Sequence, residues 1–151
     1  MATPGFIVSG VGWNGWFRGR PVPVKPYQAV GVLTAQINDE SSMTEMGSAK
    51  ITFQPTIKAQ GVLQVHVAVL GFNQITNVKR GENSGKNLPH DFVVMGYNSV
   101  PLKLEKNKLS THINLPDTRQ FTSTKKALVF WVSELNNPSP IQVAANWWAE
   151  K

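Results

Sequence analysis

The chain has 151 residues, a formal net charge of +6 and no cysteine. A chain of this length forms one ordinary domain with a sizeable core. Without cysteine, disulfides, thiolate nucleophiles, thiol–disulfide exchange and cysteine-based zinc sites are excluded. The longest apolar run, Ala127 to Val132, is far shorter than the ~18 residues that a membrane-spanning helix needs. The basic charge allows an anionic partner but does not require one.

The first residues of the chain predict a β-hairpin. Phe6–Val8 is a short apolar run, and the dipeptide Asn14-Gly15 suits the tight type I′ turn of a hairpin. We therefore predict a hairpin over residues 3–18, followed by a proline-rich connector. No charged leader with a long apolar segment precedes it, so we expect no secretory signal in the chain as given.

Beyond the connector, apolar and polar residues alternate with the period of two that is typical of β-strands. Apolar residues occupy both faces of residues 62–70, which predicts a strand buried on both sides, with Gln64 and His66 sharing one face. We place Trp131 in the core and expect one of Trp147 and Trp148 to be exposed. The predicted strands are 29–37, 50–54, 62–70, 92–95, 102–104, 111–115, 127–132 and 141–148.

No segment shows a helical stripe, and 10 prolines and 12 glycines separate the strands at turn-like intervals. Residues 39–45 are interpreted as a solvated acidic loop. The pattern predicts an all-β fold, an immunoglobulin-like or related β-sandwich of about eight strands. Residues 1–20 form the predicted hairpin unit, and residues 21–151 form the sandwich domain.

Two sets of residues are candidates for a catalytic or ligand site. Gly81–Asn87 resembles a phosphate loop, but its spacing is one residue short and Asn87 replaces the required hydroxyl. His66, His90 and His112 lack the spacing of metal ligands, and no GxSxG motif is present. We therefore predict a turn at residues 81–87, no cofactor and no metal site.

The segment from Lys79 to Val94 resembles a known family. It is similar to the C-terminal part of domain-of-unknown-function family twelve-twenty-three, whose members are exported and largely bacterial. The matching residues are Gly81, Glu82, Asn83, Gly85, Leu88, His90, Val93 and Val94. Agreement extends to residues 3–8, 13–17, 127–132 and 141–142.

The resemblance implies an N-terminal thioredoxin-like domain with a cysteine pair, joined to a β-rich C-terminal half. Thr3-Pro4 is similar to the Thr-Pro that faces the redox pair in such folds. Residues 3–18 would then be the closing hairpin of that domain. The resemblance also implies a periplasmic or secreted location, and no redox role can be carried over to a chain without cysteine.

From these observations we expect a non-catalytic accessory domain that binds a protein or small ligand and belongs to an exported thioredoxin-like protein. The partner itself is unknown. The N-terminal hairpin is a candidate for self-association, and no membrane span is expected. A basic β-barrel that binds nucleic acid, and a hydrolase with a site around Glu82 and His90, are the alternatives. The candidate binding residues are Lys79, Arg80, Glu82, Asn83, Lys86 and His90.

Overall fold

The computed structural model describes residues 6–8, 10–23, 30–38, 47–56, 61–105 and 108–148. These ranges contain twelve strands and one 3₁₀ helix, Gly15–Arg18, with no α-helix among them. The predicted acidic loop at 39–45 lies outside the described residues. The strands are β1 (Phe6–Val8), β2 (Val11–Trp13), β3 (Gly31–Asn38), β4 (Ser48–Pro55), β5 (Leu63–Phe72), β6 (Gln74–Asn77), β7 (Asn87–His90), β8 (Val93–Pro101), β9 (Lys103–Glu105), β10 (Lys108–Asn114), β11 (Lys125–Glu134) and β12 (Asn137–Trp148).

Eight of these strands form two four-stranded antiparallel sheets. The first sheet has the order β3-β4-β10-β9, and the second has the order β12-β11-β5-β8. The remaining strands pair as two separate hairpins, β1 with β2 and β6 with β7. The all-β fold with a sandwich-like arrangement of two sheets is therefore confirmed.

The core lies between the two sheets and follows the predicted alternation. In β5 the odd-numbered residues from Leu63 to Val69 point inward, and in β11 the even-numbered residues from Leu128 to Val132 do so. From the first sheet, Ile51 and Phe53 are fully buried. Burial of these branched and aromatic side chains is the main force that holds the sheets together.

Two amide side chains join the lateral edges of the sandwich. Asn98 of β8 donates from Nδ2 to the backbone oxygen of Asn114 in β10, at 2.8 Å. At the other edge, Gln142 of β12 donates from Nε2 to the backbone oxygen of Gly31 in β3, at 2.8 Å. Gly31 belongs to the edge strand β3, and Asn114 lies at the end of β10, beyond the residues that pair with β9. Each bond thus gives a backbone carbonyl a partner from the opposite sheet.

The N-terminal hairpin is present, but its predicted turn was wrong. Phe6 pairs with Trp13, so the chain reverses around Gly10, whose φ of 79° suits a glycine. Gly15 instead starts the 3₁₀ helix, where the Trp13 indole packs so closely that a Cβ on Gly15 would lie 2.6 Å from it. A Cβ on Gly10 would lie 3.0 Å from Cα of Ser139, so the hairpin contacts the start of β12.

Candidate functional site

The predicted binding residues lie on a projecting β-hairpin, residues 74–90, which we call the arm. Strands β6 and β7 form its stem, and the predicted turn at residues 81–87 lies at the opposite end, with Asn87 already in β7. Asn73 and Phe92, at the foot of the arm, have φ values of 55° and 59°. A bulky residue such as phenylalanine rarely adopts this left-handed conformation. Asp91 Oδ1 accepts a hydrogen bond from the Asn73 amide at 2.9 Å and braces the foot.

The tip of the arm is closed by hydrogen bonds within its own turn. The Gly85 amide donates to the Val78 oxygen at 2.8 Å, and the Val78 amide donates to the Lys86 oxygen at 3.0 Å. The Lys86 ammonium donates to Asn83 Oδ1 at 3.1 Å. Every residue of the tip from Lys79 to Lys86 is exposed. Asn83 thus braces a lysine side chain within the turn.

Substitution of Asn83 by alanine is expected to change the free energy of unfolding by less than about 0.5 kcal/mol, because its partner is exposed. Gly85→Ala is the matched variant in the same turn. Its cost should be about 1 kcal/mol, because φ is 80° there, although no atom lies within 4 Å of an added Cβ. Urea unfolding measures both. An Asn83→Ala cost equal to that of Gly85→Ala would contradict this description of the tip.

The arm separates the two residues of the alternative hydrolytic site. Glu82 lies in the turn at the tip, whereas His90 lies at the foot, opposite Gln74. β7 runs from Asn87 to His90 between them, which is three steps of ~3.4 Å, or about 10 Å. Lys79, Arg80 and Lys86 share the tip with Glu82, so the structure gathers five of the six candidates and leaves His90 apart.

A second surface was not predicted as a site: the side of the β12-β11-β5-β8 sheet that points away from the core, which we call the outer face. Strand register arranges its side chains in rows that cross the four strands. In the order β12, β11, β5, β8, row 1 is Trp147, Ala127, Leu70 and Val94; row 2 is Ala145, Val129, Ala68 and Tyr97; row 3 is Val143, Trp131, His66 and Ser99.

The outer face is apolar and partly exposed. Val143, Trp147, Val94 and Tyr97 of the flanking strands β12 and β8 are all exposed, whereas Ala68 between them is buried. Trp131 is half-buried on this face rather than in the core, which corrects the sequence-based placement. Of Trp147 and Trp148, the first is exposed and the second packs against the core, as predicted. Such a face is typical of a binding surface.

A chain of hydrogen bonds fixes the side chains of Tyr97 in row 2 and His66 in row 3. Tyr97 OH lies 2.6 Å from His66 Nδ1, and His66 Nε2 lies 2.9 Å from Ser133 Oγ. Ser133 in turn donates to the backbone oxygen of Glu134 at 3.1 Å. Because the Ser133 hydroxyl proton is used there, we assign the imidazole proton to Nε2, so that Tyr97 donates to Nδ1. The His66 ring also stacks on Trp131, with centroids 4.8 Å apart.

This chain contains the serine and histidine of a nucleophilic site, but its hydrogen bonds are donated in the wrong direction for catalysis. A serine nucleophile must give its proton to an unprotonated histidine nitrogen. In the tautomer assigned above, Nε2 donates to Ser133, and the acceptor nitrogen of His66 receives the Tyr97 hydroxyl proton. Ser133 is also completely buried. The arrangement therefore orients side chains of the outer face rather than activating a nucleophile.

The pH dependence of stability is expected to reflect His66, because burial lowers its pKa below the ordinary value of 6.5. On acidification the unfolded chain takes up a proton at this histidine before the folded protein does. The free energy of unfolding should therefore be level above about pH 7 and fall as the pH drops below about 6.5. Thermal melts from pH 7.5 to 5 measure this fall, since His is the side chain that titrates there.

His66→Gln should remove most of this fall, and His90→Gln, at the exposed foot of the arm, should keep it. An unchanged pH profile in His66→Gln would contradict the assignment.

A second aromatic cluster joins the outer face to the arm. The Phe72 ring meets both Phe92 and Trp147 edge to face, with centroids 4.9 Å apart in each pair. The Lys125 ammonium lies 3.8 Å from the Trp147 ring centroid, a cation–π contact. The left-handed conformation of Phe92 therefore directs its ring onto the end of the outer face. Apolar surface continues from the arm's foot to row 3.

The sequence of β11 carries a signal for this face. Strand β11 carries Val129 and Trp131 between Leu128, Phe130 and Val132, so it is apolar on both sides. A strand at a solvated face of an antiparallel sheet normally alternates apolar with polar. Apolar residues on both sides therefore indicate either a buried strand or a binding face.

Within the described ranges, no three histidine, aspartate or glutamate side chains come together in a way that would hold a metal ion. No helix in the same part of the chain is long and apolar enough to cross a membrane.

Fold and surface together define a small antiparallel β-sandwich domain with an apolar outer face and a projecting arm. The family model described as "Protein of unknown function (DUF1223)" matches residues 2–133. The chain therefore belongs to this family, the one that the segment Lys79–Val94 resembles. A search of curated proteins found no match.

Among solved structures, HBP35 of Porphyromonas gingivalis is similar in fold, with a TM-score of 0.55 and 13% sequence identity. The match covers 78% of this chain and 40% of that one, so the chain spans less than half the length of HBP35. At this identity the likeness concerns the fold alone.

Proposed function

We propose that this chain is a non-catalytic protein-binding domain and that the outer face is its binding surface. The observation that carries the proposal is the exposure of aromatic and aliphatic side chains along one sheet face, with Tyr97 and Trp131 already held in place. Interfaces are enriched in such aromatic side chains at their centres. Side chains ordered before binding lose less entropy when a partner arrives. We also propose that the chain is an accessory domain of an exported thioredoxin-like protein.

The chemistry of the described residues supports binding over catalysis. In the assigned tautomer, His66 donates a hydrogen bond to Ser133, so it does not serve as the base that would take the Ser133 proton. Glu82 and His90 lie at opposite ends of the arm. The tip of the arm carries Lys79, Arg80 and Lys86 without an aromatic side chain on which a base could stack. Nucleic-acid binding therefore receives less support than protein binding.

Site-specific photocrosslinking tests the proposal. A benzophenone amino acid at Val143, on the outer face, should crosslink to polypeptide in the cells that produce the protein. The same group at Val32, an exposed valine on the edge strand of the other sheet, is the matched control. We expect a discrete crosslinked band from Val143 and a weaker one or none from Val32. Equal crosslinking at both positions, or none at either, would contradict the proposed face.

A further inference from the structure

We infer that the outer face binds the outer face of a second copy of this chain, so that the domain forms a two-fold symmetric dimer. This inference rests on the proposed function and names the partner. In such a dimer the two outer faces pack against each other as the two sheets of the core already do. The strands of packed sheets are aligned to within about 30°. A closed two-fold interface uses the same patch twice, so the patch must complement itself.

Most facing pairs of the outer face complement each other about a two-fold axis that is parallel to the strands and lies in the interface, above the boundary between β5 and β11. This axis places each β12 over the second copy's β8, and each β11 over its β5. Row 2 then sets Tyr97 against the second copy's Ala145, and Val129 against its Ala68. In each of these pairs a large side chain meets a small one, which is the condition for close packing.

In each neighbouring row one of the two pairs follows the same rule, whereas the other sets two large side chains together, Trp147 with the second copy's Val94 in row 1 and Trp131 with its His66 in row 3. Row 1 sets Leu70 against the second copy's Ala127, and row 3 sets Val143 against its Ser99. Under the same axis, the cross-strand pair of Lys125 and Phe72 sets each lysine over the second copy's Phe72. Lys125 already contacts its own Phe72 ring through a cation–π interaction at 5.9 Å. The axis therefore sets Lys125 over an aromatic ring rather than directly over the second copy's Lys125.

The exposed area is also of the size that a dimer needs. The exposed fractions are 69% for Phe92, 56% for Trp147, 49% for Tyr97, 60% for Val94 and 50% for Val143. With ~150–250 Å² per aromatic side chain, these five residues offer roughly 500 Å². Half-buried Trp131, Leu70 and Val129 add to this, so the face approaches the ~800 Å² per partner of a standard stable interface.

Sedimentation velocity of the purified chain tests the inference, since a dimer's population depends on protein concentration. Between about 1 µM and 100 µM we expect a shift from 16.6 kDa toward twice that mass. Val143→Lys should raise the dissociation constant at least ten-fold, whereas Val32→Lys should leave it unchanged. A melting temperature close to that of the unsubstituted chain establishes that each variant is folded.

A paired charge variant tests the register. Val143 and Ser99 lie three strand spacings apart in one chain, about 14 Å at ~4.8 Å each, so they cannot form an ion pair within it. Across the proposed axis they are neighbours. Val143→Lys combined with Ser99→Glu in the same chain should therefore restore dimerisation that Val143→Lys alone weakens. Failure of the combined variant to dimerise better than Val143→Lys alone overturns the proposed axis.

The remaining outcomes separate the two proposals. A monomer at every concentration overturns the dimer. If that monomer still crosslinks from Val143 to another polypeptide, the proposed binding function stands; if it does not, that function fails as well. A dimer that is lost in Ile7→Lys but kept in Val143→Lys would assign self-association to the N-terminal hairpin, where Ile7 is exposed, and would overturn the inference.

Discussion

Replacement of Phe53 by alanine is expected to lower the free energy of unfolding by about 3–5 kcal/mol. Phe53 is fully buried and is one of the largest side chains between the two sheets. Its removal takes away the transfer free energy of the ring and leaves a cavity that the paired strands β3 and β10 cannot close. Urea denaturation measures the loss, which should lower the melting temperature by on the order of 10 °C.

Val32→Ala is the matched control for Phe53→Ala. Val32 pairs with Gln54, the neighbour of Phe53, but its side chain is exposed. An exposed substitution of this kind should change stability by less than about 0.5 kcal/mol. A Phe53→Ala loss as small as the Val32→Ala loss would contradict the placement of the core between the sheets.

Replacement of Gly31 by valine is expected to cost at least about 2 kcal/mol, for a different reason. The φ of Gly31 is 142°, in a region that residues with a side chain rarely adopt. A Cβ at this position would lie 2.6 Å from the backbone oxygen of Gln54, which cannot move without breaking the β3–β4 pairing. The change would also disturb the bond from Gln142 to the Gly31 oxygen.

Gly12→Val is the comparison for Gly31→Val. An added Cβ on Gly12 meets no atom within 4 Å. Stability measured by urea unfolding should therefore fall much less in Gly12→Val than in Gly31→Val. Equal losses in the two variants would show that the crowding at Gly31 is relieved elsewhere.

Strand positions were predictable because the core depends on a local pattern. The alternation in residues 62–70 and 127–132 predicted β5 and β11, since side chains two residues apart share a face. The turn in the N-terminal hairpin was misplaced because Asn14-Gly15 fits a tight turn locally. Packing of the Trp13 indole on Gly15 is a contact in space that turn preferences do not include.

The outer face was harder to predict because its character depends on strand order. Sequence shows that β11 is apolar on both sides, but not that β12 and β8 flank β11 and β5. That order places Tyr97 beside His66 and Trp131, although the three residues are far apart in sequence. The arm was visible in sequence as a glycine-containing basic segment, yet its paired stem required the register of β6 with β7.

The binding role of the outer face is tested most directly by hydroxyl-radical footprinting. Oxidation of Tyr97 and Trp147 is compared with that of Phe17 and Phe121, exposed aromatic side chains outside the outer face. The comparison is made in dilute purified protein and in the cells that produce it. The account predicts that Tyr97 and Trp147 are protected in the cells relative to Phe17 and Phe121. The same relative oxidation in both samples would contradict it, because the face would then be uncovered where the protein works.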